Sequence, residues 1–205
     1  MATSLRHMGY YMYVNRSQFI KGLVGGAIPL LSGCTGGLLR SRETRANDMH
    51  VQNVSNHDDV DVAFSAKVIR QATKEEPARV EVSFINRGAE RTMYFGATVP
   101  GTFPDRSGTL VLIPDTRDSI GYWDRDAPQQ FIPDSREDCW RALNTPVWGS
   151  YLKPRTVRED ERLTERYTLL THTNSEECFP PGSYHFKSTF KVEAYHSLYF
   201  DMSIT

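Results

Sequence analysis

The sequence predicts an all-β fold, an antiparallel β-sandwich over residues 59–205, preceded by a signal peptide and a flexible tether. At least seven short runs rich in β-branched and aromatic residues follow one another, separated by turn signals. None of the segments between them shows the period of an amphipathic helix. Because parallel strands need long crossovers that are usually helical, this pattern favours antiparallel pairing.

The first two runs show the signal most clearly. Residues 59–68 alternate between polar and apolar side chains, which is the period of a half-buried strand. Residues 79–84 alternate again and end at Asn86-Arg87-Gly88, a turn signal. The apolar face of the first run comprises Val60, Val62, Phe64, Ala66 and Val68. The other strand-like runs are residues 92–96, 109–113, 167–171, 183–192 and 197–202.

The charge balance argues against a nucleic-acid partner. The 205 residues include 24 Lys and Arg against 25 Asp and Glu, so the formal charge is -1. Proteins that bind nucleic acid present a basic surface, because phosphate contacts dominate their affinity. The apolar fraction of 39% is typical of a globular chain, and the length allows one domain with appendages.

The N-terminal segment, residues 1–33, has the composition of an export signal. It contains Arg6, Arg16 and Lys21 and no acidic residue. The uncharged stretch 22–31 follows, and small residues come directly after it. A membrane-spanning helix needs about 20 apolar residues, and this shorter stretch also contains glycines and a proline. We therefore predict a cleaved signal peptide rather than a transmembrane helix.

The residues Leu31-Ser32-Gly33-Cys34 resemble the lipobox of bacterial and archaeal lipoproteins. Together with Asn15-Arg16-Ser17-Gln18-Phe19-Ile20-Lys21, they resemble the twin-arginine lipoprotein signals of halophilic archaea. The resemblance implies that Cys34 is lipidated and anchors the protein to the extracytoplasmic face of the cell membrane. A serine follows Arg16 where that family has a second arginine, so both the twin-arginine and the general secretory routes stay open.

Residues 34–58 are predicted to form the lipidated N-terminus and a flexible tether. They are polar, mixed in charge and free of aromatic residues. Asn53-Val54-Ser55 is a glycosylation sequon, which makes Asn53 a candidate acceptor, although a solvated linker asparagine explains it equally well. Asn56-His57-Asp58-Asp59-Val60-Asp61 lacks the glycine and the distal glutamate of a calcium loop, and we expect no metal and no cofactor.

The two remaining cysteines, Cys139 and Cys178, are predicted to form a disulfide. Outside the cytoplasm the redox setting permits the bond, and an even pair is left once Cys34 is lipidated. The alternative is a catalytic thiolate assisted by His172 or His185. Each cysteine directly follows two acidic residues, which raise a thiol pKa and disfavour the thiolate.

The surroundings of these cysteines resemble immunoglobulin-like modules of secreted prokaryotic proteins. The resemblance rests on Cys139-Trp140-Arg141, on Leu152-Lys153-Pro154, and on the segment 178–186, CFPPGSYHF. It implies an immunoglobulin-like sandwich in which a Pro-Gly turn begins a late strand whose tyrosine packs at a corner. Such modules serve many unrelated functions.

The sequence favours a non-enzymatic binding or structural module of the cell surface, bound to the membrane through Cys34 and to an unknown protein or glycan. The alternative is a surface-anchored solute-binding protein or enzyme. No phosphate-binding glycine loop, zinc-protease helix or serine nucleophile motif is present in the sequence. The long segment 115–147 carries Tyr122, Trp123, Phe131 and Trp140, which either recognise a ligand or cover the sandwich edge.

Overall fold

The computed structural model describes residues 48–96, 98–116, 131–135, 138–146 and 152–205. Within these ranges the chain forms nine β-strands and one short 3-10 helix at Asp58–Val60. The strands are β1 (Met49–Val54), β2 (Val62–Arg70), β3 (Ala78–Asn86), β4 (Arg91–Phe95), β5 (Leu110–Pro114), β6 (Lys153–Val157), β7 (Arg162–Thr171), β8 (Gly182–Lys191) and β9 (Tyr195–Ile204).

The strands form two sheets in which all strand pairs are antiparallel. Sheet A has the order β1-β9-β8-β4-β6, and sheet B has the order β2-β3-β7-β5. The prediction of an all-β antiparallel fold is confirmed, and the two sheets are consistent with a β-sandwich. All seven strand-like runs of the sequence correspond to strands, namely β2, β3, β4, β5, β7, β8 and β9.

The predicted tether is wrong over its C-terminal part, because Met49–Val54 forms β1 and pairs with β9. Met49 is buried, and the Gln71 side chain bonds its backbone at both N and O, at 3.0 and 2.8 Å. The folded part therefore begins before residue 59. Of the six residues of β1 only Met49 is fully buried, so its apolar pattern is weak. The predicted signal peptide and Cys34 lie outside the described residues.

The space between the sheets is filled by aromatic rings. Phe84 of sheet B contacts Phe95 and Phe190 of sheet A edge-on, with ring centroids 5.2 Å apart in each pair. Phe186 stacks on Phe200 of the neighbouring strand at 5.1 Å. Such ring pairs add stability beyond the apolar area that they bury.

Part of the outer side of sheet B is also buried. Val111 and Ile113 alternate with the inward residues of β5, yet both are inaccessible to solvent. They belong to the same apolar cluster as Phe131 and Trp140. The Trp140 indole donates a hydrogen bond to the Thr73 carbonyl at 2.7 Å. Phe131 and Trp140 are therefore buried in the apolar core, which agrees with the second interpretation for these two residues of their segment.

Asn86, the last residue of β3, connects the two sheets. Its fully buried side-chain amide donates to the carbonyl oxygens of Ala89, Val157 and Arg158 at 2.9, 3.2 and 3.1 Å. Its oxygen accepts two hydrogen bonds from the Arg91 guanidinium, at 3.1 and 2.8 Å. The end of β3 in sheet B is thereby tied to the start of β4 and to the end of β6 in sheet A.

The sulfur atoms of Cys139 and Cys178 lie 2.15 Å apart, in agreement with the predicted disulfide. The Thr171 hydroxyl lies 3.4 Å from the Cys139 sulfur and accepts a hydrogen bond from the Phe179 backbone N–H at 3.1 Å. The Thr171 N–H donates to the Trp140 carbonyl at 2.9 Å. The disulfide therefore fixes the segment that carries Trp140 to the end of β7.

Tyr184 closes the turn that precedes β8. The Tyr184 hydroxyl donates a hydrogen bond to the carbonyl of Pro180, four residues upstream. Burial raises the pKa of Tyr184, and the charges of Asp105 and Glu177 add to this effect. The hydroxyl therefore keeps its proton and remains a donor.

A buried histidine makes the stability depend on pH. The His57 ring lies 2.8 Å from the Ser55 hydroxyl and contacts Phe190 edge-on. Burial lowers the pKa of His57 below its ordinary 6.5 against the raising effect of Asp59, and His196 lowers it further. The folded state therefore favours the neutral ring.

Since the unfolded chain binds this proton more readily, we expect His57 to make the protein less stable as pH falls through 6.5 towards the lowered pKa. Above pH 6.5 this contribution should be constant. Urea unfolding of the protein and of His57→Gln at pH 7.5 and at pH 5.5 measures the difference. The variant should lose less stability on acidification, and His50→Gln, at an exposed site, should behave like the unmodified chain. An equal loss in all three proteins would contradict the assignment.

Candidate functional site

The outer side of sheet A carries a group of exposed tyrosines and half-buried lysines. On β8, Phe186 and Phe190 point into the core, so Lys187 and Lys191 lie on the opposite side. The same alternation places Tyr195 and Tyr199 of β9 and Tyr94 of β4 on that side. We call these five residues, Tyr94, Lys187, Lys191, Tyr195 and Tyr199, the tyrosine–lysine face. Its three tyrosines are 37%, 69% and 37% exposed in chain order.

One row of this face crosses three strands. Lys191 is in register with Tyr94 on one side and with Tyr195 on the other. Its ammonium nitrogen lies 5.9 Å from the centroid of the Tyr94 ring and 5.5 Å from that of the Tyr195 ring. Both are within cation–π range. The two tyrosines therefore position the lysine, while their own rings remain accessible.

A second row continues the face towards the other end of β8. Lys187 is in register with Tyr199, whose ring lies 5.4 Å from that of His185. His185 Nδ1 lies 2.7 Å from Asp201 Oδ1, and Asp201 Oδ2 accepts a hydrogen bond from the Asn53 amide at 2.9 Å. The bond from Asn53 lowers the pKa of Asp201, and the bond from His185 lowers it further.

The outer side of sheet B has a different electrostatic character. There Glu81 accepts ion pairs from Lys67 at 2.8 Å and from Arg166 at 3.1 Å, and these contacts lower its pKa. In the part of the chain that the structure describes, neither Lys187 nor Lys191 forms an ion pair with an acidic side chain. The charges of Lys187 and Lys191 are therefore available to an external anion.

The chemistry available at the tyrosine–lysine face is recognition by side chains. Strands β4, β8 and β9 are interior strands of sheet A, so their backbone groups pair with neighbouring strands. Flat aromatic rings with their hydroxyl groups remain exposed, and two half-buried lysines lie beside them. An exposed group of this kind marks an interaction surface more often than isolated surface residues do.

The other sites that the sequence predicts lie away from this face or outside the described residues. Tyr122 and Trp123 lie outside the described residues. Asn53 is exposed, but it lies on β1 rather than in a tether, and its amide bonds Asp201. The sequon hydroxyl, that of Ser55, is buried and accepts a hydrogen bond from the Tyr199 backbone at 3.1 Å.

The catalytic alternatives find other roles in the structure. Cys139 and Cys178 are bonded to each other, so neither supplies a thiolate. Ser55 and His57 form a hydrogen-bonded pair, but both are buried. Across the described ranges, no group of three or more histidine, cysteine or acidic residues is arranged to hold a metal ion. None of the helices described is long and apolar enough to span a membrane.

The sequence contains a signal for the tyrosine–lysine face that strand prediction alone does not use. In the run 183–192, a lysine directly follows each phenylalanine, at Lys187 and Lys191. In residues 195–199, tyrosines occupy the first and last positions. Once the inward side is known, these positions define one exposed surface. Tyr94 joins them only through the pairing of β4 with β8, which is a tertiary feature.

Comparison with models of protein families, with curated proteins and with solved structures gives no match to this chain. Its function must therefore be inferred from its own residues.

Proposed function

We propose that this protein is a lipid-anchored, extracytoplasmic binding module without catalytic activity. The observation that carries the proposal is the tyrosine–lysine face, in which exposed tyrosine rings flank two half-buried lysines on interior strands of a sheet. The nearby Asp201 carboxylate already accepts a hydrogen bond from the Asn53 amide and lies within hydrogen-bond distance of the His185 ring. Tyrosine supplies contact area at a low entropic cost, which is why it is enriched in recognition surfaces.

The extracellular location is supported by two independent features. The lipobox-like sequence ending at Cys34 lies between a basic, apolar leader and the folded part of the chain. The geometry of Cys139 and Cys178 is that of a disulfide, a bond typical of oxidising compartments. We also propose that the sandwich is immunoglobulin-like, on the basis of the corner contact between Tyr184 and Pro180.

The anchor is tested by replacing Cys34 with serine in the full chain expressed in a prokaryotic host with a lipoprotein pathway. We expect the unmodified protein in the membrane fraction and Cys34→Ser in the soluble extracytoplasmic fraction, because stable anchoring depends on the attached lipid chains. The matched control is the double variant Cys139→Ser/Cys178→Ser. It removes two thiols but should remain at the membrane. Membrane retention of Cys34→Ser would refute the anchor.

A further inference from the structure

We propose that the ligand of the tyrosine–lysine face is a polysaccharide whose repeating unit carries a carboxylate, such as a polymer of uronic acids. This inference rests on the proposed binding function and specifies its ligand. It follows from the charge, the ring spacing and the position of the face in the sheet.

The charge of the face favours an anionic ligand. Lys187 and Lys191 lie four residues apart on β8, which places their backbones about 13 Å apart along the strand. The acids of the described β8–β9 hairpin are Glu193, in the turn, and Asp201, which is bonded to Asn53 and lies against His185. Two cations at this spacing can contact carboxylates on two separate units of one extended polymer.

The rings of the face select a ligand with flat, partly apolar units. Tyr94 and Tyr195 lie on either side of β8, so their backbones are about 10 Å apart across the sheet. Tyr199 lies four residues from Tyr195 on β9, a further step of about 13 Å. The C–H side of a sugar ring packs well on an aromatic ring, and its hydroxyls remain free for hydrogen bonds. Rings at these intervals can contact several units of one chain.

An acidic peptide fits the face less well. Peptides that bind sheets usually add to a free edge, where backbone groups are unpaired. Strands β4, β8 and β9 have paired backbones on both sides over part or all of their length. Around the named residues, the other outward positions of β8 and β9 are polar, namely Ser183, His185, Thr189, Ser197, Asp201 and Ser203. This surface lacks the aliphatic side chains that form the core of most protein interfaces.

The experiment is calorimetric titration of the purified full chain with a galacturonic acid hexamer. The same hexamer with its carboxyl groups methyl-esterified is the neutral probe, and poly-L-glutamate is the peptide probe. We expect saturable binding of the acidic hexamer that weakens as salt is added. We expect the neutral hexamer to bind several-fold more weakly, and poly-L-glutamate to give no saturable binding.

Variants of the face assign the binding to these residues. Tyr195→Ala should weaken binding of the acidic hexamer about tenfold, because an exposed ring contact is lost. Lys191→Gln should weaken it about threefold and reduce its dependence on salt. The matched controls are Ile69→Ala, at an exposed apolar residue of sheet B, and Lys74→Gln, in a turn. Both should bind as the unmodified chain does.

Saturable binding of poly-L-glutamate without binding of the hexamer would overturn the assignment in favour of a peptide ligand. An equal loss in the control variants, or no binding of either hexamer, would also overturn it. These failures are distinguishable from failure of the anchor, because membrane fractionation of Cys34→Ser does not depend on the ligand.

Discussion

Removal of the disulfide in Cys139→Ala/Cys178→Ala should lower the free energy of unfolding by about 4 kcal/mol. The two cysteines are separated by 39 residues, so the bond closes a long loop and restricts the unfolded chain. The end of β7, where the Thr171 N–H donates to the Trp140 carbonyl, should be the first part of the fold to lose its structure. A change of this size is a large fraction of the stability of a small domain.

Urea unfolding with and without reductant tests this expectation. Reductant should destabilise the unmodified protein to about the level of the double variant, and it should leave the double variant unchanged. Mass spectrometry without reductant should find Cys139 and Cys178 in one linked peptide pair. Two free thiols, or an unfolding curve that reductant does not shift, would contradict the bond.

Asn86→Ala should destabilise the protein by about 3 kcal/mol, because several hydrogen bonds of one buried side chain are lost together. The carbonyls of Val157 and Arg158 would lose the Asn86 donor, and Nε of Arg91 would lose the Asn86 acceptor. The Arg158 carbonyl would keep the Glu161 N–H, and Nη2 of Arg91 would keep the Val60 carbonyl. No other residue of the described chain bonds β3, β4 and β6 through one side chain in this way. The expected result is a lower urea midpoint with little change in slope.

Asn86→Asp separates the role of the side chain as an acceptor for Arg91 from its role as a donor to the carbonyls. The aspartate keeps an acceptor for Arg91 but cannot donate to Val157 and Arg158, so we expect a loss of similar size. The matched control is Asn174→Ala, at an exposed turn position, which should change stability by no more than about 0.5 kcal/mol. If Asn86→Asp were as stable as the unmodified chain, the carbonyl contacts would have no structural importance.

Most strands could be predicted from the sequence, whereas the two edge strands of sheet A could not. Alternation of apolar and polar residues identifies strands such as β2 and β3, because one side of each packs into the core. The sequence pattern does not predict strands β1 and β6. β6 has the sequence KPRTV and buries only Val157, so it has no apolar period, and it is defined by its pairing with β4.

The sequence does not single out the tyrosine–lysine face, and the reason is physical. The aromatic residues of the long segment 115–147 stand out in the sequence, but Phe131 and Trp140 are buried against the sandwich. The exposed tyrosines stand on strands, where aromatic residues are expected in the core. Their exposure depends on strand parity and on the pairing of β4 with β8, which no local pattern contains.

We propose that the ligand binds on the tyrosine–lysine face. This is tested most directly by titrating the isotopically labelled full chain with the galacturonic acid hexamer and recording the backbone amide NMR shifts. The largest shifts should occur around Tyr94, Lys187, Lys191, Tyr195 and Tyr199, with small shifts on β2 and β3. Shifts confined to residues 131–146, or to the outer side of sheet B, would contradict the claim.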